Sequence, residues 1–212
     1  MHLKEIWRYP VKSMAGERLA AAALSGDGVA GDRKVVVVRP DGRVVTARSR
    51  PALLLHRATL GDDGEPLVDG RPWRSPEVAA DVERAAGEGT RLVRWDGPER
   101  FDVLPLLVAT DGAIDAFGRD VRRLRPNLVI GGVVGLAERL WEGLVLRVGE
   151  SVVRLAELRA RCVMTTVDPD TGERDPEVLR DIVRRFGGTF ALNAAVERGG
   201  SLAVGDPVEI ED

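Results

Sequence analysis

Branched and aliphatic residues recur along this chain in short runs, each closed by a polar turn. The runs are LKEIWRYPV (3–11), RKVVVVR (33–39), RVVTAR (43–48), LLLHRATL (53–60), RLVRW (91–95), RPNLVI (125–130), LVLRVG (144–149), SVVRLAEL (151–158), RCVMTTV (161–167) and DPVEIED (206–212). Their length and their content of Val and Ile suit strands with at least one buried face. Between them lie SGDGVAGD, RPDGR, GDDGEP and DPDTG, where proline presets one turn angle and glycine accepts positive φ. RKVVVVRPDGRVVTAR (33–48) therefore predicts a hairpin turning at Pro40-Asp41-Gly42. So many short, punctuated strands imply a barrel or sandwich rather than a doubly wound parallel sheet.

Three stretches carry helical spacing instead. SPEVAADVERAAGEG (75–89) opens on Ser-Pro, an N-cap followed by a first-turn proline. DGAIDAFGRDV (111–121) places Ile114, Phe117 and Val121 at three- and four-residue steps. DPEVLRDIVRRFGG (175–188) puts Val178, Leu179, Ile182, Val183 and Phe186 on one face and stops at Gly187 and Gly188. The predicted class is β-dominated α+β with a few peripheral helices. The acidic, Gly-rich GDDGEPLVDGRP stretch (61–72) is a candidate separator, with a soft boundary near residue 95 dividing residues 1–95 from 96–212.

Composition narrows the function classes. At 212 residues the chain can bury a core without staples. A formal net charge of -3 gives no overall attraction for nucleic acid or an anionic membrane surface, so neither is expected as a partner. No run approaches a membrane span, and MHLKEIWRYPVKSM has no leader pattern. One Cys and two His exclude an internal disulfide and a Cys₄ or Cys₂His₂ zinc site. The expected compartment is the cytoplasm.

That one thiol, Cys162, lies in RARCVMTTVDPDTG (159–172). Free Cys is among the most buried residue types, so an inert core role is the plain reading. The polar turn that follows places Cys162 near a strand end, where functional residues gather. In a regular strand Arg159 and Arg161 share one face and Cys162 takes the other. Arg161 and Cys162 can thus serve one site only where the chain bulges or the strand ends. Thr165 and Thr166 read as ordinary strand formers, Asp168 and Asp206 as turn formers beside proline, and His2 and His56 as poor general bases. Elsewhere Lys12 and Ser13 in YPVKSMAG, Arg33 in GDR, Thr46, Arg48 and Arg50 in TARSRP, and Arg125 and Asn127 in RRLRPN stand at turns or strand ends. Pro126 is expected to hold Arg125 extended. Singly each is an ordinary surface group. Together with a thiol they suit an anionic ligand that also carries a thiophilic metal.

The ordered set YPVKSMAG (9–16), GDR (31–33), DGRVVTARSRP (41–51), RPNLVI (125–130), WEG (141–143), RCVMTTVDPDTG (161–172) and VGDPV (204–208) resembles the MOSC-domain proteins. That family is named for the C-terminal domain of molybdenum-cofactor sulfurase, and the likeness is greatest to its amidoxime-reducing component and YcbX-like branch. The resemblance covers nearly the whole chain. It implies an N-terminal MOSC β-barrel subdomain packed on a MOSC core, with intermixed segments and the molybdenum cofactor (Mo-molybdopterin) between them. By the same likeness Cys162 ligates the metal and is catalytic. Lys12, Ser13, Arg33, Arg125, Asn127 and Arg161 then hold phosphate and pterin, Thr46 and Arg48 line the same region, and Asn193 in FALNAAVERGG takes the last cofactor-facing position.

The activity so implied is reduction of small N-hydroxylated or N-oxide compounds. The chain stops at VEIED without the ferredoxin-like extension of YcbX-type relatives, so a separate electron-donor protein is expected. Two alternatives stay open: a sulfur carrier or transferase using a Cys162 persulfide, and a non-catalytic cofactor-binding protein. The chain departs from the family at Ala191, where Gly often follows the phenylalanine, and at Arg159-Ala160 ahead of Arg161 and Cys162. It also has Asp111-Gly112-Ala113 where a helix commonly starts with Ser or Thr, and an inward-pointing Asp111 would repel an anionic cofactor.

Overall fold

The computed structural model describes residues 1–97 and 100–211. The first strands are β1 (His2–Arg8), β2 (Glu17–Leu19), β3 (Ala21–Ser25), β4 (Gly28–Val29), β5 (Val35–Val38) and β6 (Val44–Val45). There follow β7 (Ala58–Leu60), β8 (Pro66–Val68), β9 (Arg71–Pro72), β10 (Arg91–Arg94), β11 (Leu106–Thr110) and β12 (Leu128–Gly131). The last are β13 (Val145–Val148), β14 (Ser151–Ala160), β15 (Thr189–Arg198), β16 (Gly200–Ala203) and β17 (Val208–Glu211). Asp212, the end of the DPVEIED run, lies outside the described residues.

Eight strands form the main sheet in the order β17-β13-β14-β15-β11-β12-β1-β2, antiparallel throughout except between β11 and β12. Three smaller sheets, β10-β5-β6, β16-β3-β4 and β7-β8-β9, surround it. The protein is thus mostly β, as its short punctuated runs predict.

The core has separate parts. Leu3, Ile6, Leu24 and Val29 from the first thirty or so residues bury against Leu106, Leu128, Leu146, Leu155 and Leu192, so the N-terminal strands complete the main sheet's core. A second cluster, including Val11, Val35, Val37, Leu53, Trp73, Val78 and Val82, is built entirely from residues 11–92. All four valines of β5 are buried, and Val35 and Val37 contribute to that cluster at about 1.5 kcal/mol or more per side chain.

The hairpin forms as the pattern predicts. Val37 faces Val45 and Val38 faces Val44, the Arg39 N–H donates to the Arg43 carbonyl at 2.9 Å, and Gly42 turns at φ 82°. The three helices also appear. α1 (Pro76–Ala86) is capped by Ser75, whose hydroxyl accepts from the Val78 N–H at 3.3 Å. α2 (Asp111–Phe117) is capped by Thr110, and α3 (Pro176–Phe186) by Asp175. α3 buries Val178, Ile182 and Phe186, but Val183 is 58% exposed, so its apolar face is narrower than the five-residue pattern.

Four expectations fail, each for a local reason. LLLHRATL is not one strand: Pro51–Leu55 form a 3₁₀ turn that buries Leu53, and β7 begins only at Ala58. In RCVMTTV, Val163–Thr166 also form a 3₁₀ turn. The Thr165 and Thr166 hydroxyls donate to the carbonyls of Cys162 and Val163 at 2.9 and 2.7 Å, a local bonding pattern that competes with a strand ladder. GDDGEPLVDGRP separates nothing, because it supplies the turns of the β7-β8-β9 meander. Gly118, at φ 67°, ends α2 before Val121, which lies in a 3₁₀ turn. No helix among the described residues is long and apolar enough to cross a membrane.

Candidate functional site

All ten residues that the family resemblance assigns to the site border one cavity, whereas Arg50 lies away from it, its Nε donating to the Ala86 carbonyl at 2.8 Å. Lys12 and Ser13 reach it from the turn after β1, Arg33 from just before β5, and Thr46 and Arg48 from the turn after β6. Arg125 and Asn127 come from the approach to β12, Arg161 and Cys162 from beyond the end of β14, and Asn193 from within β15. The strand-alternation problem at Cys162 is resolved by this placement. β14 ends at Ala160 after three register slips against β15, the last two between Leu155 and Ala160, so Arg159, Arg161 and Cys162 can all line the same space.

The backbone here is unusual. Ser13, Arg33 and Arg125 stand at φ 71°, 50° and 58°, and Ala191, two residues from Asn193, at 63°. These are four of the five non-glycine residues at positive φ among the described residues, Asp69 being the other. Left-handed backbone at a residue with a Cβ costs about 1–2 kcal/mol, and such strain concentrates at ligand sites. Ala191 falls between Thr189 and Leu192, where the register slips against β14, so its positive φ coincides with a local irregularity of the ladder. Arg125 is not extended, despite Pro126. Its N–H donates to the Val121 carbonyl at 3.3 Å, closing the 3₁₀ turn Val121–Arg123, and a left-handed residue suits such a helix end.

The cavity is strongly cationic. Among the described residues Lys12, Arg33, Arg48, Arg123, Arg125, Arg159 and Arg161 border it, against one carboxylate, Asp102. Arg33 pairs behind the wall with buried Asp32, and Arg123 pairs with Asp168 at 2.8 Å while donating to the Thr166 carbonyl at 3.0 Å. Arg125 stacks over the buried ring of Tyr9 at 4.2 Å. Arg161 donates to the Leu124 carbonyl at 2.8 Å, and its Nε is buried without a hydrogen-bond partner. Burial pulls both Arg125 and Arg161 down to about 10. Burial likewise lowers the Lys12 ammonium, with Asp102 opposing the shift.

Asp102 was not legible as a site residue. It contacts Lys12 at 3.2 Å, Arg48 at 2.6 Å and Arg159 at 3.0 Å. Burial alone would raise its carboxyl, but Lys12 and Arg48 hold it below the usual carboxylate range. Burial lowers the Arg48 guanidinium, yet Asp102 and then the Cys162 thiol raise it on balance, which places the sole thiol beside a cation. Asp111 turns away instead. It accepts from the N–H groups of Gly112, Gly132 and Val133 at 2.9–3.0 Å, and the hydroxyl expected at that helix start is supplied by Thr110.

The two asparagines serve the frame as well. Asn127 accepts from the Leu107 N–H at 3.2 Å and donates to the Trp7 carbonyl at 3.3 Å, tying β11 to β1. Asn193 accepts from Arg159 at 3.2 Å and donates to Glu157 at 2.8 Å.

The donor set fits a phosphate-bearing metal cofactor. Unmatched guanidinium groups and an orphaned Arg161 Nε suit a phosphate, and the thiol suits a thiophilic metal. Among the described residues no cluster of three or more His, Cys, Asp or Glu is placed to hold an ion. A metal at Cys162 would take its other ligands from the cofactor.

A β-rich protein with a thiol in a cationic cavity between chain segments is the class that fold and site define. Residues 1–99 match the MOSC N-terminal beta barrel domain and residues 111–209 the MOSC domain, so the chain belongs to the MOSC family. It is 27% identical to mitochondrial amidoxime reducing component 2 of Homo sapiens, over 96% of this chain and 82% of that protein. Human mitochondrial amidoxime-reducing component 1 is also 27% identical, over 96% and 81%. A molybdenum cofactor sulfurase of Anopheles gambiae is 28% identical over 95% of this chain but only 35% of its own length. The crystal structure of the YUAD protein from Bacillus subtilis shares the fold, with a TM-score of 0.54 and 13% identity over 99% of this chain and 94% of that one.

Proposed function

We propose that this protein binds Mo-molybdopterin and reduces small N-hydroxylated or N-oxide compounds. The observation that carries the reading is the convergence of Cys162 and unmatched cations on one cavity. Lys12, Ser13, Arg33, Arg125 and Arg161 hold the phosphate and pterin, with Thr46, Arg48, Asn127 and Asn193 around them, and Cys162 ligates the metal. When bound, the cofactor supplies a redox metal that accepts an oxygen atom. Reducing R–NHOH to R–NH₂ and water consumes two electrons and two protons. In this reading the electrons come from a separate donor protein, because the one Cys of these residues cannot hold an iron–sulfur cluster. The names of the amidoxime-reducing relatives support the substrate class, and a lone free thiol fits a reducing compartment such as the cytoplasm.

Metal analysis of protein made in a cofactor-competent host tests the reading. The parent is expected to hold about one molybdenum per chain, following the single thiolate ligand, and Cys162→Ala none. Molybdenum retained by the variant, or absent from the parent, contradicts it. A persulfide on Cys162 in a pterin-free protein, seen by intact mass, would favour sulfur transfer instead.

A further inference from the structure

We infer that Asp102 is a built-in competitor for the anion this cavity takes, and that it restricts entry to dianionic phosphate monoesters. The inference rests on the phosphate reading above. Asp102 lies in the segment 100–110, which neither MOSC domain match includes. Its carboxylate is held by Lys12 from the turn after β1, Arg48 from the turn after β6 and Arg159 from β14. Three distant segments thus close on one internal anion, and all three of those cations border the cavity, with Lys12 the one assigned to a ligand phosphate.

The charge balance determines which ligand succeeds. Arg48 and Arg159, two guanidinium groups on one carboxylate, already leave a surplus of positive charge, so the cluster still attracts anions. An intramolecular carboxylate acts at an effective concentration of order millimolar or above. A free carboxylate offers the same charge and the same two oxygens, and gains nothing by exchange. A phosphate monoester brings about twice the charge and three acceptor oxygens. It can displace Asp102, or bind beside it, where a monoanion cannot. Asp102 therefore acts as a selectivity filter, and as a counterion that holds the three cations together before ligand arrives.

The test uses the full-length, ligand-free protein with inorganic phosphate and formate as probes. Asp102→Asn keeps the side-chain shape and removes the charge. It is expected to bind phosphate about tenfold tighter or more, equivalent to about 1.4 kcal/mol, since a like charge within a few ångströms of the ligand is removed. In Asp102→Ala, formate is expected to raise the melting temperature, while leaving the parent unmoved. Phosphate affinity unchanged or weakened in Asp102→Asn, or formate acting equally on parent and Asp102→Ala, overturns the competitor role. Neither readout needs molybdenum. Lys12→Ala in the parent separates the two layers: if it abolishes phosphate binding while Asp102→Asn changes nothing, the subsite stands and the competitor role falls. Phosphate affinity indifferent to Lys12→Ala removes the subsite and the competitor role together.

Discussion

Arg122 and Arg123 are neighbours in the chain, yet the carboxylate clusters on their two sides are balanced in opposite ways. Arg122 lies between Asp120 and Asp170, forked onto the first at 2.6–3.1 Å and onto the second at 2.7–2.8 Å. Two carboxylates saturate one half-exposed guanidinium, and their hydrogen bonds raise its pKa. On the cavity side, Asp102 faces Lys12, Arg48 and Arg159. Arg125 and Arg161 have no carboxylate within ion-pair distance among the described residues. A surface with freely available counterions has no physical need for such an imbalance. A buried cationic excess is expensive unless a ligand completes it, and four strained backbone positions around it point the same way.

Breaking the cavity side should have the larger consequences. Arg161→Met removes a buried, under-bonded cation. Because burial lowers its pKa, the charged form destabilises the ligand-free fold. The variant is expected to be more stable by about 1 kcal/mol in chemical denaturation while losing affinity for phosphate. Loss of stability with affinity intact would contradict this account. Asp102 should matter less and mostly in acid. Its folded pKa lies below the unfolded value, so its contribution is present above the unfolded carboxylate range and is lost as pH falls through the folded pKa. Asp102→Asn is expected to flatten the acid limb of a stability–pH curve below about pH 4, and an unchanged limb would contradict it. The smallest effect is expected of Arg122→Ala, whose exposed pairs are screened by water and salt. Its melting point should stay close to the parent's in high salt, with cofactor content unchanged; reduced cofactor content would mean the two clusters are coupled.

How far this contrast could be read from the sequence depends on what each element relies on. The β5-β6 hairpin was legible because four consecutive valines and a Pro-Asp-Gly turn act locally. β15 left no such mark. It is flanked by β14 and β11, and Phe190, Ala191, Leu192, Asn193 and Ala194 are all buried, so the strand has no polar alternation to reveal it. Composition also misled at RCVMTTV, where β-branched residues suggested a strand but threonine hydroxyls close a 3₁₀ turn. At Arg125 the pre-proline rule lost to the demands of a helix end.

The site shows the same division. Residues inside ordered motifs could be named in advance, and the fold brings all ten to one cavity. Asp102 sits among bends with no distinctive spacing, and only the charge balance of the assembled pocket exposes it. The double use of Asn127, facing the cavity while tying β11 to β1, was equally invisible, because both partners are backbone groups brought close only by folding.

The central claim is that Cys162 carries a metal in this cavity. An anomalous-difference map, recorded at the molybdenum edge from crystals of cofactor-loaded protein, tests it most directly. The account expects a single strong peak within bonding distance of the Cys162 Sγ, with phosphate density reaching toward Lys12. A peak elsewhere, or density for the cofactor with Cys162 turned away from it, would contradict the account.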